Sequence, residues 1–208
     1  MAARTQELVP EIKMFGKWDS NVEIHDVSLK PYISLKSQFV PHTHGMWVAK
    51  AQKQKMNVVE RLANRLMRSA QGTKKLSGHY VRSRRNCGKK LLALHIVRDA
   101  FEMVESEVKQ NPVSVLIKAI ENAGIREDIT RVKRGGMTYS VAVDVSPLQR
   151  IDESLKNISL GTLNSSFKNK KSVERALADE ILLAAKEDAQ SFAIKRRNEI
   201  ERMAKAAR

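Results

Sequence analysis

Residues 129–145 read Ile-Thr-Arg-Val-Lys-Arg-Gly-Gly-Met-Thr-Tyr-Ser-Val-Ala-Val-Asp-Val. Met137, Tyr139, Val141, Val143 and Val145 occupy every second position, the period of a strand, and Gly135-Gly136 offers two residues that accept positive φ in a tight turn. The stretch predicts a β-hairpin over about 129–145. Its first strand sets Arg131, Lys133 and Arg134 where a core-facing strand would place apolar side chains, so the hairpin should project as a prong of roughly 20 Å at about 3.3 Å per residue. Those bases, with Arg126 just before them, form a candidate patch for RNA; the alternative use of such charge is to guard an edge strand against aggregation.

Helical periodicity surrounds this one strand-like segment. Val59, Leu62, Ala63 and Leu66 make a first apolar stripe, and Leu91, Leu94, Val97, Phe101, Val104 and Val108 make a second. Asn111-Pro112 predicts an N-cap with proline at the first helical position, followed by Val113, Leu116, Ile117 and Ile120 up to a stop at Gly124. Beyond the hairpin, Ser146-Pro147-Leu148-Gln149 reads as a capping box, with Leu148, Ile151, Leu155 and Ile158 continuing to a stop at Gly161. Ser172 caps a fifth helix with Val173, Leu177, Ile181 and Ala184 facing inward, and a sixth runs from about Lys195 to Ala207. The predicted fold is therefore mainly α: six helices with one protruding β-hairpin between the third and fourth. Residues 1–55 hold Pro10, Pro31 and Pro41 with little periodicity and read as an irregular N-terminal extension to a helical domain at 56–208. Trp18, Tyr32, Phe39 and Trp47 are expected to pin that extension to a surface.

Thirty-eight Lys and Arg against 23 Asp and Glu leave +15 over 208 residues, which favours polyanionic partners. Of that excess, +7 falls in residues 56–110. From Arg68 to Lys90 there are eight bases, Arg68, Lys74, Lys75, Arg82, Arg84, Arg85, Lys89 and Lys90, and no acid. A solvated charged face usually mixes acids among its bases, whereas an acid-free basic loop suits phosphates whose neutralisation releases counterions. Lys195, Arg196 and Arg197 form a third patch. At a helix start they oppose the helix dipole, which points to an external anion.

Other chemistries find little support. Neither a run of 18 apolar residues nor a secretory leader is visible, so no membrane role is expected. Cys87 is the sole cysteine and cannot form an intrachain disulfide or a thiolate zinc cage; it is expected to be a buried or neutral thiol. His42-Thr43-His44 lacks further ligands at metal spacing and reads as loop. Asp179-Glu180 reads as helix surface and Glu127-Asp128 as loop, because adjacent helical side chains point about 100° apart and make no two-carboxylate metal site. With no phosphate-loop, GxSxG or HExxH pattern, no catalysis, cofactor or metal is expected.

Several motifs then occur in a telling order: Phe15-Gly16-Lys17-Trp18, Asn86-Cys87-Gly88-Lys89-Lys90-Leu91, Asn111-Pro112, Gly124-Ile125-Arg126-Glu127-Asp128, the Gly-Gly hairpin, Ala142-Val143-Asp144-Val145-Ser146-Pro147-Leu148, and the segment from Ala193 to Lys205. Over about Glu11 to Arg208 the chain resembles the universal small-subunit ribosomal protein family called "S seven" in bacteria and "S five" in eukaryotes, in its eukaryotic and archaeal branch. The resemblance implies a structural constituent of the small subunit that binds the 3′ major (head) domain of the rRNA and nucleates head assembly. It implies neighbouring head and platform proteins, a hairpin near exit-site tRNA and mRNA, and a cytoplasmic location, nucleolar during assembly in a eukaryote. Lys89 and Lys90, Arg131 and Arg134, and Lys195, Arg196 and Arg197 match the family's basic positions and are implied rRNA contacts. Ser69 to Arg85 departs from the pattern as a basic insertion. A nucleic-acid-processing enzyme and a helical DNA-binding regulator are the rival readings of the same basic surface.

Overall fold

The computed structural model describes residues 12–44, 50–69, 71–76, 79–82 and 87–208, with the backbone alone considered at 50–52, 71–76 and 79–82. Helix α1, Val58–Leu66, starts where the Asn57 carboxamide accepts the Val59 N–H at 3.0 Å, and it buries Val59, Leu62, Ala63 and Leu66. Strands β1, Gln71–Leu76, and β2, His79–Arg82, then pair antiparallel, with Leu76 opposite His79. This corrects the expectation of an open loop between Ser69 and Arg85. Pairing of the two backbones supplies the order that the lysine-rich side-chain pattern does not announce.

Helix α2, Lys90–Val108, ends at Lys109, whose φ of +57° is left-handed. Its stripe is buried from Leu94 through Val104, but Leu91 is 68% exposed, so the stripe begins one turn later than the sequence predicts. Helix α3, Pro112–Ala123, has the expected Asn111 cap, with the Val113 N–H donated to the carboxamide at 3.0 Å. The hairpin follows as β3, Glu127–Arg134, and β4, Met137–Asp144. Eight cross-strand partners run without a shift from Glu127↔Asp144 to Arg134↔Met137. Gly135 and Gly136 turn with φ of +58° and +81°, which a side chain at either position would strain. Glu127 and Asp128 belong to this strand and not to a loop.

Helix α4, Pro147–Ser166, is launched by the fixed φ of Pro147 and by the Ser146 carbonyl, which accepts the Arg150 N–H at 2.9 Å. The Ser146 hydroxyl makes no cap bond, so the capping-box reading is corrected: the helix start rests on Pro147 and the Ser146 carbonyl alone. The helix also passes through Gly161 instead of stopping there. A Cβ at Gly161 would lie 2.7 Å from the Glu180 carboxyl carbon, so the glycine marks a close crossing of two helices. Helix α5, Val173–Ala185, is capped by Ser172 as predicted, though Val173 itself is 38% exposed. Helix α6, Phe192–Ala206, begins three residues earlier than expected because Ser191 caps it, accepting the Ile194 N–H at 3.3 Å.

Helix α5 packs against α2, α3 and α4, and α4 against α1 and α6, around a core of Leu62, Leu94, Phe101, Leu116, Ile120, Ile158 and Leu177. Residues 12–44 are irregular yet share that core through Met14, Trp18, Leu29 and Ile33. Trp18 meets Phe101 edge-on at 5.6 Å and donates its indole N–H to Glu105 at 3.0 Å. Tyr32 packs on the core as well; Phe39 is 62% exposed, and Trp47 lies outside the described residues. No described helix is long and apolar enough to cross a membrane.

Candidate nucleic-acid interface

Because directly paired residues of an antiparallel ribbon share a face, the register sorts the hairpin's bases. Arg131 pairs with Ser140 and Lys133 with Thr138, which places both cations on a polar face. Arg134 pairs with Met137 on the opposite face, beside Val132, Tyr139, Val141 and Val143. All three cations are exposed, and none has an ion-pair partner among the described residues. The apolar face is open as well, with Met137 60% and Tyr139 51% exposed. Among the described residues the prong is tied down at its base, where α6 packs on β3, Val145 N–H donates to the Arg126 carbonyl at 2.9 Å, and Arg126 N–H donates to Glu201 at 3.2 Å. Arg208 pairs there with Glu127. Arg126 is exposed at this base, and Arg202 and Lys205 are exposed on α6. The last two were not singled out from the sequence, although their spacing of three residues sets them on one helix side.

The acid-free run divides. Arg68 is exposed just after α1, and Lys89 is exposed at the start of α2, which has no side-chain cap and no acid in its first turn. Lys90 is committed elsewhere: its ammonium pairs with Glu60, a carboxylate 1% exposed that also accepts the Thr43 N–H at 3.0 Å and the Thr43 hydroxyl at 2.9 Å. Burial, and then the Lys90 charge, hold the neighbouring His42 imidazole below its usual range, against an upward pull from Glu60. The side chains of Lys74, Lys75 and Arg82, and Arg84 and Arg85 altogether, lie outside the described residues. Cys87 is exposed, so of the two expected alternatives, a buried or a neutral thiol, burial is corrected; it sits in the turn before α2 with its thiol 3.8 Å from the Met67 carbonyl.

The third patch is also split. Arg197 reaches the Asn122 carbonyl at 2.6 Å and Glu187 at 2.8 Å, joining α6 to the end of α3; Arg196 pairs with Glu199, and Lys195 stays exposed. The anion at the start of α6 is internal. Glu180, 5% exposed, accepts the Ser191 hydroxyl at 2.7 Å and the Ala193 N–H at 3.0 Å. Glu180 is thus no surface residue, because a helix N-terminus gives its carboxylate two donors and makes burial tolerable. Asp179 pairs with Arg175 at 3.0 Å and with Lys171.

Other ion pairs fix the frame that carries these patches. Asp152 on α4 receives Arg61, itself 2% exposed, at 3.0 Å, together with Lys53 and Arg65. Burial raises the Asp152 carboxyl, but hydrogen bonds from Lys53 and Arg61 outweigh it and hold the group below the usual carboxylate range. Arg150 binds Asp26 at 2.9 Å and so ties the N-terminal segment to α4. For Asp26, too, burial pulls upward and is overcome by bonds from Ser28 and Arg150. Among the described residues no group of three His, Cys, Asp or Glu could hold a metal.

A helical body whose internal carboxylates are satisfied by its own donors, and whose projecting ribbon keeps its cations unpaired among the described residues, is the architecture of a nucleic-acid-binding protein. Residues 29–208 match the model of the family described as "Ribosomal protein S7p/S5e". The chain is 47% identical over 201 residues to "Small ribosomal subunit protein uS7" of Methanococcus aeolicus, covering 95% of this chain and 100% of that one. It is 49% identical over 197 residues to the protein of the same name from Thermoplasma volcanium, covering 94% of this chain and 100% of that one. The chain belongs to the S7p/S5e family of ribosomal proteins.

Proposed function

We propose that this protein is a non-catalytic structural constituent of the small ribosomal subunit that binds the 3′ major domain of the rRNA and nucleates assembly of the head. The observation that carries the reading is the hairpin: Arg131, Lys133 and Arg134 stand exposed on a two-stranded arm with no acid paired to them among the described residues. Arg68, Lys89, Arg126 and Lys195 add exposed cations elsewhere. Lys74, Lys75, Arg82, Arg84 and Arg85 extend the basic surface by sequence. Lys90 and Arg197 support the interface by holding its frame, and Arg196 is held by Glu199. Such a surface reads the shape and backbone of folded RNA more than its base edges. The arm is assigned to the exit site, near tRNA and mRNA, with head and platform proteins as neighbours. The location is cytoplasmic, and nucleolar during assembly in a eukaryotic cell.

Binding to an rRNA fragment spanning the head domain tests this. With about six phosphates neutralised, raising salt fourfold should weaken association by about 300- to 2,000-fold. A salt-insensitive complex, or a chain that does not co-sediment with small subunits from lysate, refutes the reading.

A further inference from the structure

At the junction of α1, α2 and α4 the surface opens into a hollow of about 110 Å³ that none of the interactions above uses. Its walls are Met67, Leu92, Ile96, Leu163 and Val173, and Leu92 and Val173 stand 51% and 38% exposed at its edge. The space equals several waters at ~30 Å³ each and approaches the ~150 Å³ of an engineered cavity that takes up benzene. It therefore suits one ring and no larger body. Its described lining contains one cation, Lys89, and no carboxylate. Arg68 directly follows the lining residue Met67, and the loop between the lining residues Ser166 and Val173 carries Lys168, Lys170 and Lys171.

The polar part of the lining has a definite sense. Four hydroxyl-bearing residues line the hollow, Ser69, Ser159, Thr162 and Ser166; Ser159 and Thr162 are 2% and 1% exposed, and Ser69 and Ser166 are half-buried. Each gives its only proton to a backbone carbonyl of its own segment: Ser69 to Leu66 at 2.8 Å, Ser159 to Lys156 at 2.9 Å, Thr162 to Ile158 at 3.0 Å and Ser166 to Leu163 at 3.4 Å. What remains on these oxygens is acceptor capacity. The two N–H donors of a ring amine match the two half-buried hydroxyls, Ser69 and Ser166, whereas a ring carrying a carbonyl at that place brings acceptors to acceptors.

We propose that this hollow receives one unstacked, amino-bearing pyrimidine base of single-stranded RNA, with Lys89, and Lys170 of the 167–172 loop, on the flanking phosphates, Lys171 being held by Asp179. The proposal rests on the RNA-binding reading above and adds a base-selective point to a surface that otherwise tracks backbone. Cytosine fits: it is a single ring with an exocyclic amine. Uracil, of the same size and shape, has a carbonyl there and does not.

The test uses the full chain and two labelled RNA octamers, oligo(C) and oligo(U), followed by fluorescence anisotropy at low salt. Oligo(C) should bind about tenfold tighter, the size of one or two well-made hydrogen bonds in a partly enclosed site. Val173→Phe, which fills the hollow from its rim, should erase that difference and leave oligo(U) binding unchanged, because the cations are intact. Methyl NMR on the unaltered protein stands independently of that variant. Cytidine monophosphate should shift the Leu92, Ile96, Leu163 and Val173 methyls, and uridine monophosphate should not. Equal affinity for the two octamers, a cytosine preference that survives Val173→Phe, or methyl shifts confined to other residues overturns the proposal. A chain that binds both octamers equally loses only this site; one that binds neither octamer nor the rRNA fragment loses the RNA-binding reading as well.

Discussion

Replacing Arg131 and Lys133 together by alanine separates cations that bind from cations that hold the fold. Both side chains are exposed on the polar face of the hairpin, and neither has an ion-pair partner among the described residues, so the change should move stability by no more than about 0.5 kcal/mol per site. If each meets one phosphate, the slope of log K against log salt should fall by about 1.4 to 1.8. Over a fourfold rise in salt, the variant should then lose about 7- to 12-fold less affinity than the parent chain. Lys90→Ala should do the reverse. Removing that ammonium leaves the Glu60 carboxylate, 1% exposed, facing only Thr43, and breaking a buried pair in this way costs about 3–5 kcal/mol. Filter binding of the head-domain rRNA fragment across a salt series, with urea unfolding of each variant, measures both effects. Unchanged salt dependence in the hairpin double variant refutes the binding role. A Lys90→Ala protein of parental stability whose slope drops by about one shows instead that Lys90 faces RNA.

Three further outcomes follow from the packing. Asp152→Ala should destabilise the chain by about 3–5 kcal/mol, because Arg61, 2% exposed, loses its carboxylate partner. Because the Asp152 carboxyl is held below its ordinary value of 3.8, its contribution is fully present above that pH and lost as pH falls through the lower folded value. Urea midpoints of the parent should drop between pH 5 and pH 2.5, and by less in Asp152→Asn. Gly161→Ala should cost about 1–3 kcal/mol by thermal melting, since the new Cβ meets a Glu180 carboxylate that cannot retreat without uncapping α6. Trp18→Ala should cost about 3–5 kcal/mol by the same measurement, and should free residues 12–44 to fast amide exchange, because the indole anchors that segment on Phe101 and Glu105.

Local signals were legible in the sequence and distant ones were not. Gly135-Gly136 and the alternation from Met137 to Val143 marked the hairpin because turn and pleat are each written within a few residues. Asn111 and Ser172 marked helix starts for the same reason. Gly161 misled because a helix stop and a close helix crossing ask for the same residue, and the crossing partner Glu180 lies 19 positions on. The β1–β2 hairpin escaped because Gln-Gly-Thr-Lys-Lys-Leu has neither alternation nor a β-branched run. Lys90 and Arg197 were read with their basic neighbours, yet their partners sit 30 and 75 residues away at Glu60 and Asn122. A cluster of bases shows that positive charge is present; which members remain available is decided by where the chain brings its carboxylates and carbonyls.

That division has an electrostatic consequence for the hairpin. In the body, acids and bases meet as ion pairs, such as Asp152 with Arg61 at 3.0 Å and Asp26 with Arg150 at 2.9 Å, so the field of each pair dies away close to the surface. On the arm, the acids Glu127, Asp128 and Asp144 are all at the base, while Arg134 is at the tip. Seven residues of strand separate Glu127 from Arg134, roughly 23 Å at about 3.3 Å per residue. That is about twice the Debye length of ~10 Å at 0.1 M salt, so the basal acids cannot neutralise the tip. A stiff ribbon thereby keeps Lys133 and Arg134 more than a Debye length from the basal carboxylates, and holds Arg131, about 10 Å along the strand from Asp128, out of contact with it. The same three residues on a flexible loop could fold back onto Glu127 or Asp144 and pair with them. The rigid pairing of β3 with β4 is therefore part of the binding chemistry, because it holds cationic charge where only a partner molecule can satisfy it.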